Sequence, residues 1–353
     1  MNDRPSVTAV VVTWDSGPDV EHCLAALRAQ DHRPFEVVVV DNGSSDGSVE
    51  VARRHAAPGG DVAVRVLEQG RNTGFCAAVN VGIGASAADA VLLVNPDAVL
   101  AGDHVRLLVD ALVADPGLGS VQGTLRRDHA PDAVVDSAGH VALRPRLFRN
   151  RGQGLPAASL PPPGPDGVVD VFGVTGAAAL HRRAMLDDVA DARGRWLDEA
   201  LFAYFDDVDL DWRARMRGWR AGHVPAAHGV HRRGGAARRR SPLVEELNAA
   251  NRLLVLAKLD DRRSLLAVLP ALLATTAAKL AWLVLAAPGA ALRVPARVRA
   301  GLPVARRERA RVRSRACRSS AAVSAGFAPL GGARFVTGWW ERVRPGRRGR
   351  GAR

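Results

Sequence analysis

The densest acidic stretch of the chain places four aspartates within six residues, at positions 206, 207, 209 and 211, beside Phe205 and Trp212. Clustered carboxylates repel one another, which raises the proton affinity of at least one of them and suits general-base catalysis. Aspartates at a helix start are also favoured by the helix dipole, but the dipole does not require so many acids beside aromatic side chains. We therefore predict that Asp207 takes a proton from an acceptor hydroxyl.

A second candidate, Asn95-Pro96-Asp97, directly follows an apolar run at residues 90–94. Pro96 restricts the geometry between two oxygen-bearing side chains. Asp97 is then placed to hold a hard divalent cation that bridges two phosphates and neutralises the charge that builds on a departing diphosphate. An Asx-Pro turn alone would explain Asn95 and Pro96, but it leaves Asp97 unaccounted for.

Two turns rich in Gly, Ser and Asn follow apolar runs nearer the N-terminus. Asp41 ends a valine run, where its carboxylate could accept hydrogen bonds from a base or ribose. The turn after it, at residues 42–48, exposes backbone N–H groups before a helix start, which suits an anion. In the second turn, at residues 69–75, Asn72 could contact a nucleotide. Ordinary turn formation and helix capping also explain both segments, so the alternatives stay open at this point.

The elements that must position these residues are short β-branched runs that alternate with helical stretches. The patterns predict strands at residues 7–13, 35–40, 62–67 and 90–94, and helices at residues 19–30, 48–55, 74–87 and 103–115. Such alternation predicts an α/β fold with a mainly parallel sheet covered by helices on both faces. Ligands of these sheets bind beyond the carboxyl ends of the strands, where Thr13, Asp41 and Asn95 are expected to lie.

The pattern weakens between residues 128 and 170, where a proline-rich segment predicts a loop. Beyond it we predict a strand at residues 168–174 and helices at residues 181–189, 207–217 and 242–258. The three cysteines, Cys23, Cys76 and Cys317, are far apart and lack metal-ligand spacing, which predicts neither a disulfide framework nor a zinc site. No apolar segment directly follows the first four residues, so a secretory signal is not predicted.

The C-terminal part differs in composition from the rest. Residues 265–287 are mostly apolar and long enough to span a bilayer, but Pro270 and Lys279 interrupt them. A central lysine costs about 2.5–3.5 kcal/mol on insertion, and basic flanks resist export. These constraints favour an interfacial or re-entrant helix over a span, with a buried core helix as the alternative.

Residues 293–353 hold 17 arginines and two glutamates, a net charge of +15 against +13 for the whole chain, so the first 292 residues carry about −2. We predict that this segment is a disordered tail that contacts an anionic membrane surface. The predicted division is a catalytic domain at residues 1–260, a hydrophobic helical segment at residues 261–292 and the basic tail at residues 293–353.

Taken in order, the motifs resemble the large family-two inverting glycosyltransferases of the GT-A fold, particularly the rhamnosyltransferase-like and galactofuranosyltransferase-like members. The resemblance covers residues 5–260. It implies that Asp41 contacts the nucleoside with Asn72 nearby, and that residues 173–177 form the donor-and-acceptor loop. It also implies that Asp206-Asp207 is the base motif. The implied site consists of catalytic Asp207 and Asp206, nucleotide-sugar-binding Thr13, Asp41, Asn72, Asn95 and Gly176, and the metal ligands Asp97 and His231 for Mg²⁺ or Mn²⁺.

Three positions depart from the family pattern. Asn95 replaces the first aspartate of the metal motif, which removes one carboxylate from the predicted metal site. Asp206 replaces a glutamate, which shortens the side chain that supports the base. His228 competes with His231 for the ligand role. Asn251-Arg252 matches a further pair that is familiar in these enzymes.

The resemblance implies transfer of a sugar such as rhamnose from a dTDP or UDP donor to a hydroxyl of a cell-envelope glycan or lipid-linked acceptor. The implied location is the cytoplasmic face of the cell membrane, where the protein is peripheral or anchored. A synthase that loads a sugar onto a polyprenyl phosphate is the nearest alternative. A nucleic-acid-binding role for the tail is less favoured because its aromatic residues are not regularly interleaved. A nicotinamide-linked oxidoreductase is not favoured because no G-x-G-x-x-G follows the first strand.

Overall fold

The computed structural model describes residues 4–57, 61–130, 132–233 and 241–330. The strands are Val7–Thr13 (β1), Phe35–Asp41 (β2), Ala63–Glu68 (β3), Ala90–Val94 (β4), Ala98–Leu100 (β5), Leu118–Arg126 (β6), Val135–Ser137 (β7), His140–Leu143 (β8), Leu147–Asn150 (β9), Val169–Val171 (β10), Ala178–Arg182 (β11) and Arg220–His231 (β12). The α-helices are Asp19–Arg28 (α1), Ser48–His55 (α2), Phe75–Gly84 (α3), His104–Ala114 (α4), Arg183–Val189 (α5), Asp206–Met216 (α6), Pro242–Leu259 (α7), Arg262–Ala267 (α8), Leu269–Ala286 (α9), Pro288–Arg315 (α10) and Ser320–Ser324 (α11).

One sheet dominates the described residues. Its strands follow the order β10-β12-β6-β11-β4-β1-β2-β3, with β5 added to β12 and β7 added to β6. The half formed by β4, β1, β2 and β3 is parallel, whereas β11 runs antiparallel to both β4 and β6. The predicted mainly parallel sheet flanked by helices is therefore confirmed.

Alternate residues of β1 face two apolar layers, as expected for a sheet covered on both faces. Val7, Ala9 and Val11 pack in the layer that contains α1, α2 and α4. Val10 and Val12 pack in the opposite layer, which contains α3, α5, α6 and α7. Because both faces of the parallel strands are apolar, the polar side chains that could do chemistry lie at the strand ends.

Of the strands that follow β4 in the chain, β10 lies within the strand predicted at residues 168–174, and the others were not predicted from the sequence. Strands β6, β11 and β12 each carry histidines, glycines or buried polar residues that interrupt a simple apolar run. The helix expected at residues 181–189 begins only at Arg183, because the preceding residues form β11. The stretch at residues 128–170, where the sequence pattern weakens, contains β7, β8 and β9 before its proline-rich segment.

The basic C-terminal segment does not begin as a disordered tail. Residues 288–315 form α10, which packs along α7. Gly301 allows the close approach, since a Cβ there would lie 2.7 Å from Leu254. Arg293 and Arg297 both pair with Glu246 of α7, so part of the positive charge is neutralised in the fold. Residues 331–353 of the predicted tail lie outside the described residues.

Candidate active site

The carboxyl ends of three neighbouring parallel strands lie at one edge of the sheet. Thr13 at the end of β1 is paired with Asp41 at the end of β2. On the other side of β1, Val11 pairs with Val94, so Asn95 follows β4 at the same edge. Neighbouring strands are about 4.8 Å apart, which puts the ends of β2 and β4 roughly 10 Å from each other.

Asp41 holds the turn that follows β2. It is 4% exposed, and its Oδ2 accepts the backbone N–H groups of Gly43 and Ser44 at 3.1 and 3.2 Å. Gly43 has a φ of +80°, and a Cβ there would meet the backbone of Arg71 at 2.7 Å, so the turn requires glycine. The carboxylate therefore holds the first turn at the point where Gly43 meets the backbone of the second turn.

Asn72 joins the second turn to the first. Its Oδ1 accepts hydrogen bonds from the Nδ2 of Asn42 at 3.1 Å and from the backbone N–H of Gly74 at 2.9 Å. Asn42 in turn accepts from both the backbone and the hydroxyl of Thr73. Thr13 is fully buried and donates to Ser16 at 3.0 Å. The predicted nucleoside-binding residues thus belong to one hydrogen-bonded network, of which Asn72 is the exposed member.

Asp97 and His231 lie in contact although they are far apart in sequence. Strand β12 pairs with β5, with His231 opposite Ala98, and this brings the His231 Nε2 to 3.2 Å from the Asp97 Oδ1. The Nδ2 of Asn95 lies 3.5 Å from the same nitrogen. The competing His228 is exposed, and its charged neighbours are Arg126 and Asp103. The geometry thus distinguishes the two histidines and associates His231 with Asp97.

Asp136 on β7 lies behind His231 and was missed by the sequence analysis. Its Oδ2 accepts the His231 Nδ1 at 2.8 Å, and its Oδ1 pairs with Arg127 and Arg233 at 2.7 and 2.8 Å. Burial opposes its charged form, but the hydrogen bond from His231 and the two arginines outweigh burial and lower the pKa of Asp136. Burial likewise opposes charge on His231, but Asp136 and Asp97 raise the pKa of His231 to about 9.

The four acids of α6 differ in their access to the site. Asp206, Asp209 and Asp211 are buried, whereas the side chain of Asp207 is 27% exposed. Burial, followed by repulsion from Asp207, raises the pKa of Asp206 to about 8. Asp206 therefore favours the neutral form of its carboxyl, and Asp207 is the solvent-accessible acid of the adjacent pair.

The buried acids have structural partners. Asp209 pairs with Arg213 at 2.8 Å and with Lys258 at 2.9 Å. Asp211 accepts the His140 Nδ1 at 3.0 Å and the backbone N–H of Val174 at 3.1 Å. These partners account for two of the four acids, which leaves Asp206 and Asp207 facing the predicted donor-and-acceptor loop.

The loop at residues 173–177 connects the two halves of the site. Asn95 donates its backbone N–H to the carbonyl of Ala177 at 2.9 Å. Gly176 donates its backbone N–H to the Asp207 Oδ2 at 3.4 Å. One short loop therefore contacts both Asn95, two residues before Asp97, and the predicted base Asp207.

The segment before α6 is held in a strained conformation. Phe202, Tyr204 and Phe205 all have positive φ, between 64° and 67°. The Nδ2 of Asn251, a fully buried residue of α7, contacts the carbonyls of residues 201, 203 and 204 at 2.8 to 2.9 Å. Asn251 thus stabilises a backbone that non-glycine residues disfavour, and it fixes where Asp206 and Asp207 begin the helix.

Two of the described residues, Asp97 and His231, offer an oxygen and a nitrogen toward one point. No group of three or more His, Cys, Asp or Glu side chains suited to a metal ion occurs among the residues that the structure describes. A cation bound there would have to replace the proton that His231 shares with Asp97, and it would take its remaining ligands from phosphate oxygens and water.

Comparisons with known proteins identify the family and the fold. Residues 8–158 match the sequence profile of glycosyl transferase family 2. Over 250 residues the chain is 30% identical to the N-acetylglucosaminyl-diphospho-decaprenol L-rhamnosyltransferase of Mycobacterium tuberculosis, an alignment that covers 63% of this chain and 74% of that relative. The chain belongs to glycosyl transferase family 2. This glycosyltransferase is also 21% identical over 229 residues to the poly-beta-1,6-N-acetyl-D-glucosamine synthase of Staphylococcus aureus, of which it covers 50%.

Solved structures show the same fold. The glycosyltransferase matches GalNAc-T7, crystallised with UDP, GalNAc and Mn²⁺, with a TM-score of 0.57 and 13% identity, covering 74% of this chain and 49% of that one. It matches the mannosyltransferase PcManGT from Pyrobaculum calidifontis, in complex with GDP-Man and Mn²⁺, with a TM-score of 0.51 and 22% identity, covering 89% and 86%. The predicted GT-A fold and the predicted enzyme class are confirmed.

Proposed function

We propose that this glycosyltransferase transfers rhamnose, or a closely related sugar, from a dTDP or UDP donor to a hydroxyl of a lipid-linked cell-envelope glycan. The observation that carries the proposal is Asp207, the one open carboxylate of α6, in contact with the loop that also contacts Asn95. The similarity to the N-acetylglucosaminyl-diphospho-decaprenol L-rhamnosyltransferase of Mycobacterium tuberculosis supports both the sugar and the lipid-linked acceptor.

In the proposed reaction Asp207 accepts the proton of the acceptor hydroxyl. The oxygen then attacks the anomeric carbon from the face opposite the diphosphate, and a new carbon–oxygen bond forms. The bond from the anomeric carbon to the diphosphate breaks, and its electron pair leaves with the nucleoside diphosphate. This in-line displacement inverts the configuration of the sugar. The neutral Asp206 adds no second negative charge beside the base.

Asp97 and His231 are the proposed ligands of Mg²⁺ or Mn²⁺, with Asp136 orienting the His231 ring through its other nitrogen. Such a cation, when bound, neutralises charge on the diphosphate as it leaves. Both matched solved structures were determined with Mn²⁺, which supports the choice of metal. With Asn95 in place of an aspartate, the proposed site has a single carboxylate ligand.

Thr13, Asp41 and Asn72 are the proposed nucleoside-binding residues, with Asn95 and Gly176 nearer the diphosphate and sugar. The roughly 10 Å between the ends of β2 and β4 suits an extended nucleoside diphosphate that lies across the strand ends. The hydrogen-bonded turns at Asp41 and Asn72 form the surface on which the base and ribose would rest.

A donor panel tests this proposal. We expect thermal stabilisation and turnover with dTDP-rhamnose in the presence of Mn²⁺, using a short-chain N-acetylglucosaminyl-diphospho-prenol as acceptor. UDP-glucose, UDP-galactose and GDP-mannose serve as comparison donors. Transfer to a bare polyprenyl phosphate, with none to the glycan hydroxyl, would contradict the proposal. A phosphate acceptor is already ionised and has no need of a base such as Asp207.

We further propose that α9 rests on the cytoplasmic face of the membrane as an interfacial helix. Among the described residues it is the one helix long and apolar enough to cross a bilayer, and 6% of it is buried. The polar side chains of α9 are turned toward the protein. Thr275 and Thr276 contact Arg252 of α7 at 3.0 and 3.4 Å, and Lys279 pairs with Glu245 and lies 4.5 Å from the Trp282 ring.

The outward face of α9 is therefore entirely apolar, with Leu273 58% and Leu285 86% exposed. The exposed Arg262 and Arg263 lie before the helix, and nine arginines against one glutamate lie in α10 after it. An apolar strip with basic residues at both ends matches the interface of an anionic bilayer. Because Lys279 is neutralised within the protein, its charge does not oppose this placement. The predicted domain division at residues 260 and 292 remains part of the proposal.

Replacing Leu273 and Leu285 together by glutamate should weaken binding to phosphatidylglycerol vesicles by at least about 100-fold, because two leucines lose their burial in lipid. Vesicle flotation measures the loss of membrane binding. Comparing low and high salt separates the binding due to apolar contacts from the binding due to the arginines. Val113→Glu is the matched control, since Val113 is also 58% exposed but lies on α4. Equal flotation of the double variant and the control would disprove the assignment of α9.

A further inference from the structure

His140 links two of the α6 acids across the site. It begins β8, directly after the tight turn at residues 138 and 139, and its side chain is 6% exposed. Its Nδ1 lies 3.0 Å from the Asp211 Oδ2, and its Nε2 lies 3.5 Å from the Asp207 Oδ2. Asp207 and Asp211 are one helical turn apart, so the imidazole lies between two carboxylates on the same face of α6.

Hydrogen bonds fix the backbone of His140 as well as its ring. Its N–H donates to the carbonyl of Gly173 at 2.7 Å, and its carbonyl accepts from Phe172 at 3.2 Å. A Cβ at Gly173 would lie 1.8 Å from Asp211, so glycine is needed for the loop to pass this close. His140 therefore joins the donor-and-acceptor loop to the helix that carries the predicted base.

We propose that His140 is a positioning residue that places a positive charge next to Asp207 and holds that side chain aimed at the acceptor hydroxyl. This inference rests on the proposed role of Asp207 as the base. The same five-residue segment, residues 136–140, also supplies Asp136, which supports His231. This segment thus orients Asp207 through His140 and His231 through Asp136.

The electrostatic surroundings favour a charged His140. Burial by itself would lower the pKa of His140, but Asp207, the hydrogen bond to Asp211 and the more distant Asp206 outweigh burial and raise it. All three charged groups that bear on the ring belong to α6. Burial raises the pKa of Asp211 to about 6, and the bond to His140 counteracts this. Asp211 is thus mostly ionised at pH 7, when it pairs with the imidazolium.

The test is the pH profile of His140→Gln, which keeps an amide in place of the ring but removes the charge. With dTDP-rhamnose and N-acetylglucosaminyl-diphospho-prenol, we expect kcat at pH 7 to fall about 10- to 100-fold. The acid limb of kcat should move to higher pH by about one to two units, the effect of losing a cation within 4 Å of a carboxylate. Donor affinity should stay within about twofold.

A purely structural role predicts a different result, namely a lower rate at every pH with an unmoved acid limb. That result would overturn the inference. His181→Gln is the matched control, because His181 is also a buried strand histidine but contacts Ser120 rather than an acid. Asp211→Asn preserves the volume beside His140 and should move the acid limb in the same direction by a smaller amount, which keeps the test available if His140→Gln does not fold.

A second measurement does not depend on turnover. In ¹⁵N-histidine NMR spectra of the full chain, the signal missing from His140→Gln identifies His140. We expect it to titrate above pH 6.5 and to titrate at lower pH in Asp207→Asn. Titration below pH 6.5, or indifference to Asp207→Asn, would refute the inference. Full activity of Asp207→Asn would instead refute the proposed base, so the two failures are distinguishable.

Discussion

Asp207→Asn is expected to lower kcat by about 10²- to 10⁴-fold, the range that a general base contributes. An asparagine has the same shape but cannot take the acceptor proton, so the hydroxyl oxygen remains a weak nucleophile. Donor affinity should change little, because the proposed nucleoside contacts at Asp41 and Asn72 lie across the strand ends on other elements. Single-turnover rates and the dissociation constant for dTDP measure the two effects separately.

Two variants make this result specific to Asp207. Asp206→Asn should have a much smaller effect, since burial and Asp207 already keep Asp206 protonated at pH 7 and an amide resembles a neutral carboxyl. Asp170→Asn controls for the loss of any carboxylate near the loop, because Asp170 is 59% exposed on β10. If Asp207→Asn retained strong turnover, or if Asp206→Asn were the more damaging change, the base assignment would be wrong.

Asp97→Ala is expected to lower kcat/KM by about 100-fold and to abolish the dependence of donor binding on Mn²⁺. Asp97 is the single carboxylate of the proposed metal pair, and without it His231 alone remains from the protein. The loss of charge neutralisation at the diphosphate is worth several kcal/mol in comparable sites, which makes this estimate conservative. Isothermal titration of dTDP with and without Mn²⁺ measures the effect.

The control for this variant is Asp110→Ala, an exposed aspartate of α4 whose arginine contacts are 3.6 Å or longer. It should leave the Mn²⁺ titration unchanged. A normal metal dependence in Asp97→Ala would remove Asp97 from the proposed site, and the fold assignment would stand regardless.

Much of the parallel half of the fold was predictable from local sequence. Strands β1 and β4 have the predicted bounds, because their apolar runs are short and bounded by turn residues, and helix α2 also has its predicted bounds. Helix α10 was not predicted, because its high arginine content is also typical of disordered segments. Its pairing with Glu246 and its close packing at Gly301 are contacts with α7, more than 40 residues away.

By itself the sequence determined the α/β architecture, the family, and the acids that end strands or cluster on α6. The tertiary structure decided which of these acids are open and which are buried, since exposure depends on packing from other elements. It also revealed the supporting residues: Asp136 contacts His231 across 95 positions, and His140 contacts Asp211 across 71. Such contacts join segments with no shared local pattern, because an orienting side chain needs only to reach its partner in space and not to follow a periodicity.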